Sequence, residues 1–160
     1  MKLHIENLNI TVSHPQQPAG LLATLAFANA VSSTPAPAIG EKWPGTEATY
    51  AGIALSSAGD SLVHLLLWDE SNDIALPYAK AVAYAETVNR DMNSHLPTRH
   101  QSITLFENLQ ASFNQDYYHW TLTKTKSGKS AFIQFFTYGY QYTCDLSAEC
   151  RVRAVSEIPL

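Results

Sequence analysis

Six histidines, His4, His14, His64, His95, His100 and His119, are the side chains of this 160-residue chain best suited to hold a metal or move a proton. Their spacing does not fit a zinc hydrolase, which sets two His four apart on one helix with a Glu between them. His64 sits in an apolar run and reads as a hydrogen-bonded core residue, while His100 reads as a surface residue at a helix start. Asp69, Glu70 and Asp73 offer hard oxygen ligands, but the run lacks the Gly and the distal Glu of a calcium loop, which leaves a solvated acidic loop. No metal and no cofactor is expected. Cys144 and Cys150 enclose five residues, a spacing that suits a cross-strand disulfide or two buried thiols equally. Neither has a neighbouring His or another feature that lowers a thiol pKa, and no Gly-x-Ser-x-Gly or phosphate loop is present, so an enzyme is not expected.

Arg99, Arg151 and Arg153 could hold an anion, although arginines at a helix start and on a strand more often make ion pairs, with Glu107 or Glu149 as candidate partners. The aromatic residues carry the stronger signal. Tyr138, Tyr140 and Tyr142 alternate around Gly139, and Tyr117, Tyr118 and Trp120 precede the neighbouring hairpin. Exposed Tyr and Trp give large contact area for little lost entropy, so these six are the candidate binding residues, facing a protein partner. The same rings could equally pack in a core or a subunit interface.

Composition narrows the partner. With 10 Lys and Arg spread along the chain and a net charge of −4, there is no footprint for nucleic acid. Apolar residues make up 46% and charged residues 15%, so the surface leans on Ser, Thr, Asn, Gln and Tyr. The longest apolar stretch, Leu21 to Val31, falls short of the roughly 18 residues that span a bilayer, and no membrane association is expected. Leu21–Phe27 followed by Ala28-Asn29-Ala30 imitates a signal peptide, but a long preceding segment with Glu6 and strand-like alternation argues against secretion by this route.

These residues need elements to position them. Residues 1–38 read as an arm: a strand from Leu3 to Val12, an Ala/Leu helix from Gly20 to Val31 and a Pro/Ser linker. A helix with almost no charge must bury itself on the domain or on another subunit, and a homo-oligomer built through the arm is expected. The domain, 39–160, opens with a turn around Trp43, then strands at 49–55 and 61–68 joined at Ser57–Asp60, the second strand apolar on both faces. A helix from Pro77 to Asn89 follows, then Leu96–Leu109, where Thr98 and Gln101 form a capping box and Ile103, Phe106 and Leu109 share a face with Leu105 beside them. Strands at 118–124 and 130–138 flank a turn at Lys126–Lys129, and a last pair covers 140–144 and 150–155. Strands, two helices, then strands signal an α+β fold.

Gly40-x-x-Trp43-Pro44, Tyr50-Ala51-Gly52-Ile53, Leu96-Pro97-Thr98-Arg99, Leu105-Phe106-x-Asn108-Leu109, Tyr118-x-Trp120, Ala131-x-x-Gln134-x-Phe136-x-x-Gly139-x-Gln141 and Arg151-Val152-Arg153-Ala154-Val155 occur in this order. The set resembles the C-terminal domain family of the Legionella collagen-like protein, common in prophage and secreted bacterial proteins, over about residues 39–155. The resemblance implies a C-type-lectin-like binding domain and, for Trp43, Thr98, Arg99, Gln101, Gln134 and Arg153, structural roles. It also suggests a phage or prophage origin, and with it a place in the bacterial host cytoplasm or on a virion. The chain departs from the family at Gln101, where an acid is usual, and at Trp120-Thr121-Leu122, where Trp-Ser-Ser is usual. A non-enzymatic protein-recognition module is the expected function. Alternatives are a phage inhibitor of a host enzyme or defence complex, with the acidic loop 69–73 as its contact, and a receptor-binding or adhesion module.

Overall fold

The computed structural model describes residues 35–69 and 73–160. The chain divides into two units, Met1–Pro35 and Ala36–Leu160. The strand and helix expected in the arm, and residues 70–72 of the acidic loop, lie outside the described residues. Among its described residues the second unit is α+β, with two α-helices and eight strands in two sheets.

The first sheet has three strands in the order β1-β2-β8. β1 (Thr49–Leu55) and β2 (Leu62–Leu67) form the expected hairpin, and β8 (Val155–Pro159) pairs antiparallel along the other edge of β2. Side chains alternate across a strand, so the leucine run of the central strand can feed two cores. Leu66 joins Tyr50, Trp68, Tyr78 and Trp120 in one cluster; Leu65 and Leu67 join Leu105, Leu109, Phe113 and Phe136 in the other.

The second sheet has five strands in the order β3-β7-β4-β5-β6. These are β3 (Ile74–Pro77), β4 (Tyr118–Lys124), β5 (Ser130–Phe135), β6 (Tyr140–Asp145) and β7 (Glu149–Val152). The last pair expected from the sequence does not form. β6 is already paired with β5, and β7 instead pairs with the short β3, which periodicity alone did not reveal, and meets β4 in parallel at His119 and Arg151. The chain then crosses to the first sheet as β8, so the expected strand at 150–155 is two strands in two sheets.

Helix α1 (Tyr78–Val88) follows Pro77 as expected and buries Tyr78, Ala81 and Ala85 against the first cluster. Helix α2 (Arg99–Leu109) carries the expected capping box. The Thr98 hydroxyl accepts from the Gln101 backbone N–H at 3.2 Å, and Gln101 Oε1 accepts from the Thr98 N–H at 2.9 Å. The buried face differs from the expected one. Gln101, Ser102, Leu105 and Leu109 face inward, Phe106 is half-buried and Ile103 is exposed. The helix is turned because Gln101 has polar work inside the protein: its Nε2 donates to the Leu55 carbonyl at 3.1 Å and to Glu157 Oε1 at 2.6 Å. The same carboxylate oxygen accepts from the Ser57 N–H and lies 3.3 Å from His95 Nε2. At the other end of α2, Asn108 Nδ2 donates to the Ala51 carbonyl at 2.8 Å, across a β-bulge at Gly52. Gly52 stands at φ 104°, and a Cβ there would lie 2.9 Å from that same nitrogen. The Tyr-Ala-Gly-Ile strand and the helix Asn are therefore one device.

Trp43, Gln134, Arg153 and Arg99 each make contacts within the domain. Trp43 is half-buried against Tyr50 and His64, ring centroids 5.4 and 5.0 Å away, and the Tyr50 hydroxyl and His64 Nδ1 are 2.9 Å apart. Gln134 is buried, and its Oε1 accepts from Gln141 Nε2 at 2.8 Å. The buried Arg153 donates to the carbonyls of Ser112 and Trp68 and lies over the Phe113 ring. Arg99 and Arg151 do not take Glu107 or Glu149 as partners. Arg99 Nε donates to Gln141 Oε1 at 2.6 Å and its guanidinium covers Phe132, while Arg151 binds at Asp73.

Asp73, assigned to a solvated loop on its sequence, is largely buried and sits 3.5 Å from His119 Nε2. Burial pushes the His119 imidazole below its ordinary range; Asp73 pulls the other way, and the Arg153 charge adds to the push. A depressed imidazole pKa means that below about pH 6.5 the unfolded chain takes up a proton that the folded chain refuses, so acidification through this window favours unfolding. The His119 ring should titrate below pH ~6.5 by NMR, and the unfolding midpoint should fall between pH ~7 and ~5. A ring titrating at or above that value would mean that Asp73 outweighs burial. The Glu157 contact makes a second prediction. Gln101→Glu removes two donated hydrogen bonds and sets a carboxylate against Glu157, which should lower unfolding free energy by about 2–3 kcal/mol in urea titrations at neutral pH. The loss should shrink as pH falls through the carboxylate range, because a carboxyl raised by a like charge binds its proton more tightly in the folded state.

Candidate functional site

The sheet β4-β5-β6 places aromatic side chains on one face by register alone. Tyr118 pairs with Phe135 and Phe135 with Tyr140; two residues along, Trp120 pairs with Ile133 and Ile133 with Tyr142. Residues two apart share a face, so both rows point the same way. Helix α1 decides which of them are covered. Tyr78, its first residue, packs edge-on against Trp120 with centroids 5.4 Å apart, and the Trp120 indole N–H donates to the Leu76 carbonyl. Trp120 is thus 0% exposed. It belongs to the core and is not a binding residue, as its place beside Tyr118 in the sequence had suggested.

The other five candidates reach the surface. Tyr117, Tyr118, Tyr138, Tyr140 and Tyr142 are between 40% and 66% exposed. Four of them form a connected row through Phe135, which sequence reading missed. Centroid distances are 4.8 Å for Tyr118–Phe135, 6.0 Å for Tyr118–Tyr142, 6.2 Å for Tyr140–Tyr142, 5.8 Å for Tyr138–Tyr140 and 6.1 Å for Phe135–Tyr138. All lie in the range where aromatic pairs attract, so each ring restrains its neighbours before any partner arrives. The pairing of Phe135 with Tyr140 across a short turn was the available signal for Phe135. Tyr117 stands apart at the β4 end, its ring covered by the Arg151 guanidinium at 4.6 Å.

The turn Phe136–Gly139 holds the row at its far end. Gly139 N–H donates to the Phe135 carbonyl at 2.9 Å with φ 75°, and a Cβ at this position would meet Phe106 ring carbons at 2.6 and 2.7 Å. Below the turn, Gln110 Nε2 donates to the Phe136 and Thr137 carbonyls. Gln141, between the exposed Tyr140 and Tyr142, turns to the opposite face, where its Nε2 donates to the Arg99 carbonyl at 2.9 Å and to Gln134 Oε1. Helix α2 therefore anchors the strand that displays the tyrosines.

Beside Tyr117 and Tyr118 lies a depression of about 240 Å³, lined also by Asp116, Glu149, Cys150 and Arg151. Cys144 and Cys150 are free thiols. Burial, with Cys144 close by, pushes the Cys150 thiol up to about 12, so it is protonated and unreactive at neutral pH. Among the described residues no group of three or more His, Cys, Asp and Glu is placed to hold a metal ion. No protein-family model and no curated protein matches the chain. Among the described residues no helix is long and apolar enough to cross a membrane.

Two glycines in turns separate conformation from contact. Gly128 has φ 69° with nothing within 4 Å of a Cβ, whereas Gly139 has both a positive φ and the Phe106 ring in the way. Gly128→Ala should cost about 1 kcal/mol of unfolding free energy, the strain of a left-handed backbone alone. Gly139→Ala should cost about 2 kcal/mol or more, because the ring must also move. Equal losses in chemical denaturation would show that the Phe106 contact is incidental.

Proposed function

We propose that this chain is a non-enzymatic recognition module that binds a protein partner through the tyrosine row of β4, β5 and β6. The observation that carries this reading is the connected set Tyr118, Tyr142, Tyr140 and Tyr138, exposed yet mutually packed. Exposed aromatic area is unfavourable in water at about 25 cal/mol for each Å², and a bound partner recovers that energy. Rings already held by their neighbours lose little entropy on binding, which is why Tyr is enriched among energetically dominant interface residues.

The motif order of the sequence and the α+β architecture with a capping box at Thr98 support a C-type-lectin-like domain of the prophage-associated family. On this reading the protein is phage or prophage encoded, works in the bacterial cytoplasm or on a virion, and self-associates through its N-terminal arm. The inhibitor alternative is less well supported, because Asp73 of its supposed contact loop is engaged with His119 and Arg151.

Replacing Tyr140 and Tyr142 together by Ala tests the reading. Capture of the partner by the full chain should weaken by about a hundredfold, since two interface aromatics of this kind contribute more than 1 kcal/mol each. The melting temperature should stay near wild type, because both rings are at least half exposed. Undiminished capture would remove the row from the interface, and a large fall in melting temperature would return both tyrosines to a structural role.

A further inference from the structure

The depression next to the row has a composition of its own. Its lining brings Tyr117 and Tyr118 together with two acids, Asp116 and Glu149. Neither carboxylate has an ion-pair partner among the described residues. The one cation present, Arg151, is already committed: its Nη1 donates to the Asp73 carbonyl at 3.1 Å, its Nε lies 4.0 Å from Asp73 Oδ1, and its plane covers Tyr117. With Asp73 set against Arg151, and Arg151 against Tyr117, two negative charges remain beside the exposed Tyr118 ring. A cation placed there meets a ring quadrupole and carboxylates together, whereas an anion meets repulsion. The whole chain, at net −4, steers in the same direction.

We infer that this depression takes the guanidinium or ammonium head of an arginine or lysine side chain projecting from the protein partner. The inference rests on the tyrosine row as the contact surface and gives that partner a chemistry: a basic side chain anchored at the β4 end, with the flanking segment lying across Tyr118 and Tyr142. Cys150 closes one side of the depression as a protonated thiol and adds no charge of its own.

The full chain, isotope-labelled for NMR, can be titrated with acetyl-Gly-Arg-Gly-amide and, in parallel, with acetyl-Gly-Glu-Gly-amide. Saturable shifts of the Tyr117, Tyr118 and Glu149 amide signals are expected with the arginine peptide alone. They should weaken as salt rises from about 50 to about 300 mM, and by about fivefold or more in Asp116→Asn/Glu149→Gln, whose dispersed spectrum reports that it is folded. No saturable shift, an equal response to the glutamate peptide, or undiminished binding by the folded double variant would overturn the assignment. These titrations need no partner, so they fail or succeed separately from the Tyr140/Tyr142 capture experiment: loss of peptide binding alone sinks the pocket, and capture that survives the tyrosine replacements sinks the row.

Discussion

The segment from His95 to Gln101 is strung between the two sheets, and the rest of the domain depends on it. His95 exchanges both backbone hydrogen bonds with Val155 of the first sheet, and two residues later the Pro97 carbonyl accepts from Leu122 N–H of the second. Arg99 N–H then donates to the Thr123 hydroxyl. Leu96 is wholly buried between these anchors. A proline at 97 suits the site, since it holds the preceding residue extended and its missing N–H needs no partner. The helix that follows cannot start anywhere else, because the cap residue Thr98 is already placed by both sheets. Two sheets that share no strand pairing are thus bridged by this segment as well as by the crossing from β7 to β8, and Leu96 within it belongs to the first hydrophobic cluster.

The joint also requires a side chain at position 101 that both accepts and donates. Position 101 must accept from the Thr98 N–H, which either a glutamine or an acid can do, but here it must also donate to Glu157 and Leu55. A carboxylate accepts only. Glu157, on β8, collects Gln101, the Ser57 N–H and His95 around a single oxygen, so the last strand supplies the charge and the helix start the donor.

Features governed by near neighbours were legible in the sequence. The capping box, the hairpin turns at 57–60 and 126–129, and the start of α1 after Pro77 all depend on residues within a few positions of one another. What depended on distant pairing was not. Nothing near Cys150 announces that it will pair with Leu76 of β3 and not with β6, and nothing in the apolar spacing of α2 says that Gln101 and Ser102 will be inside while Ile103 is out. Trp120 shows the same limit at the candidate site. It has the parity of Tyr118, and only the position of Tyr78 on α1 separates a buried ring from an exposed one. Phe135 and Glu149 were missed for this reason too, since they join the tyrosines through the pairing of strands and not through sequence proximity.

A recognition surface of aromatic rings needs rigid support, because rings free to collapse onto one another would bury themselves and offer nothing. Here the support comes from beneath. Phe106 of α2 fills the space that a side chain at Gly139 would need, Gln110 holds the Phe136 and Thr137 carbonyls, and Gln141 reaches through from between Tyr140 and Tyr142 to the Arg99 carbonyl at the start of the same helix. These contacts tie the displayed strand to the helix, and the helix start to the first sheet through Gln101 and to the second through Arg99. Disturbing the cap should therefore loosen the tyrosine row as well as the core, while changes among the rings leave the cap untouched. The dependence runs in one direction, from joint to surface, and so the surface can vary its side chains without altering the scaffold that presents them.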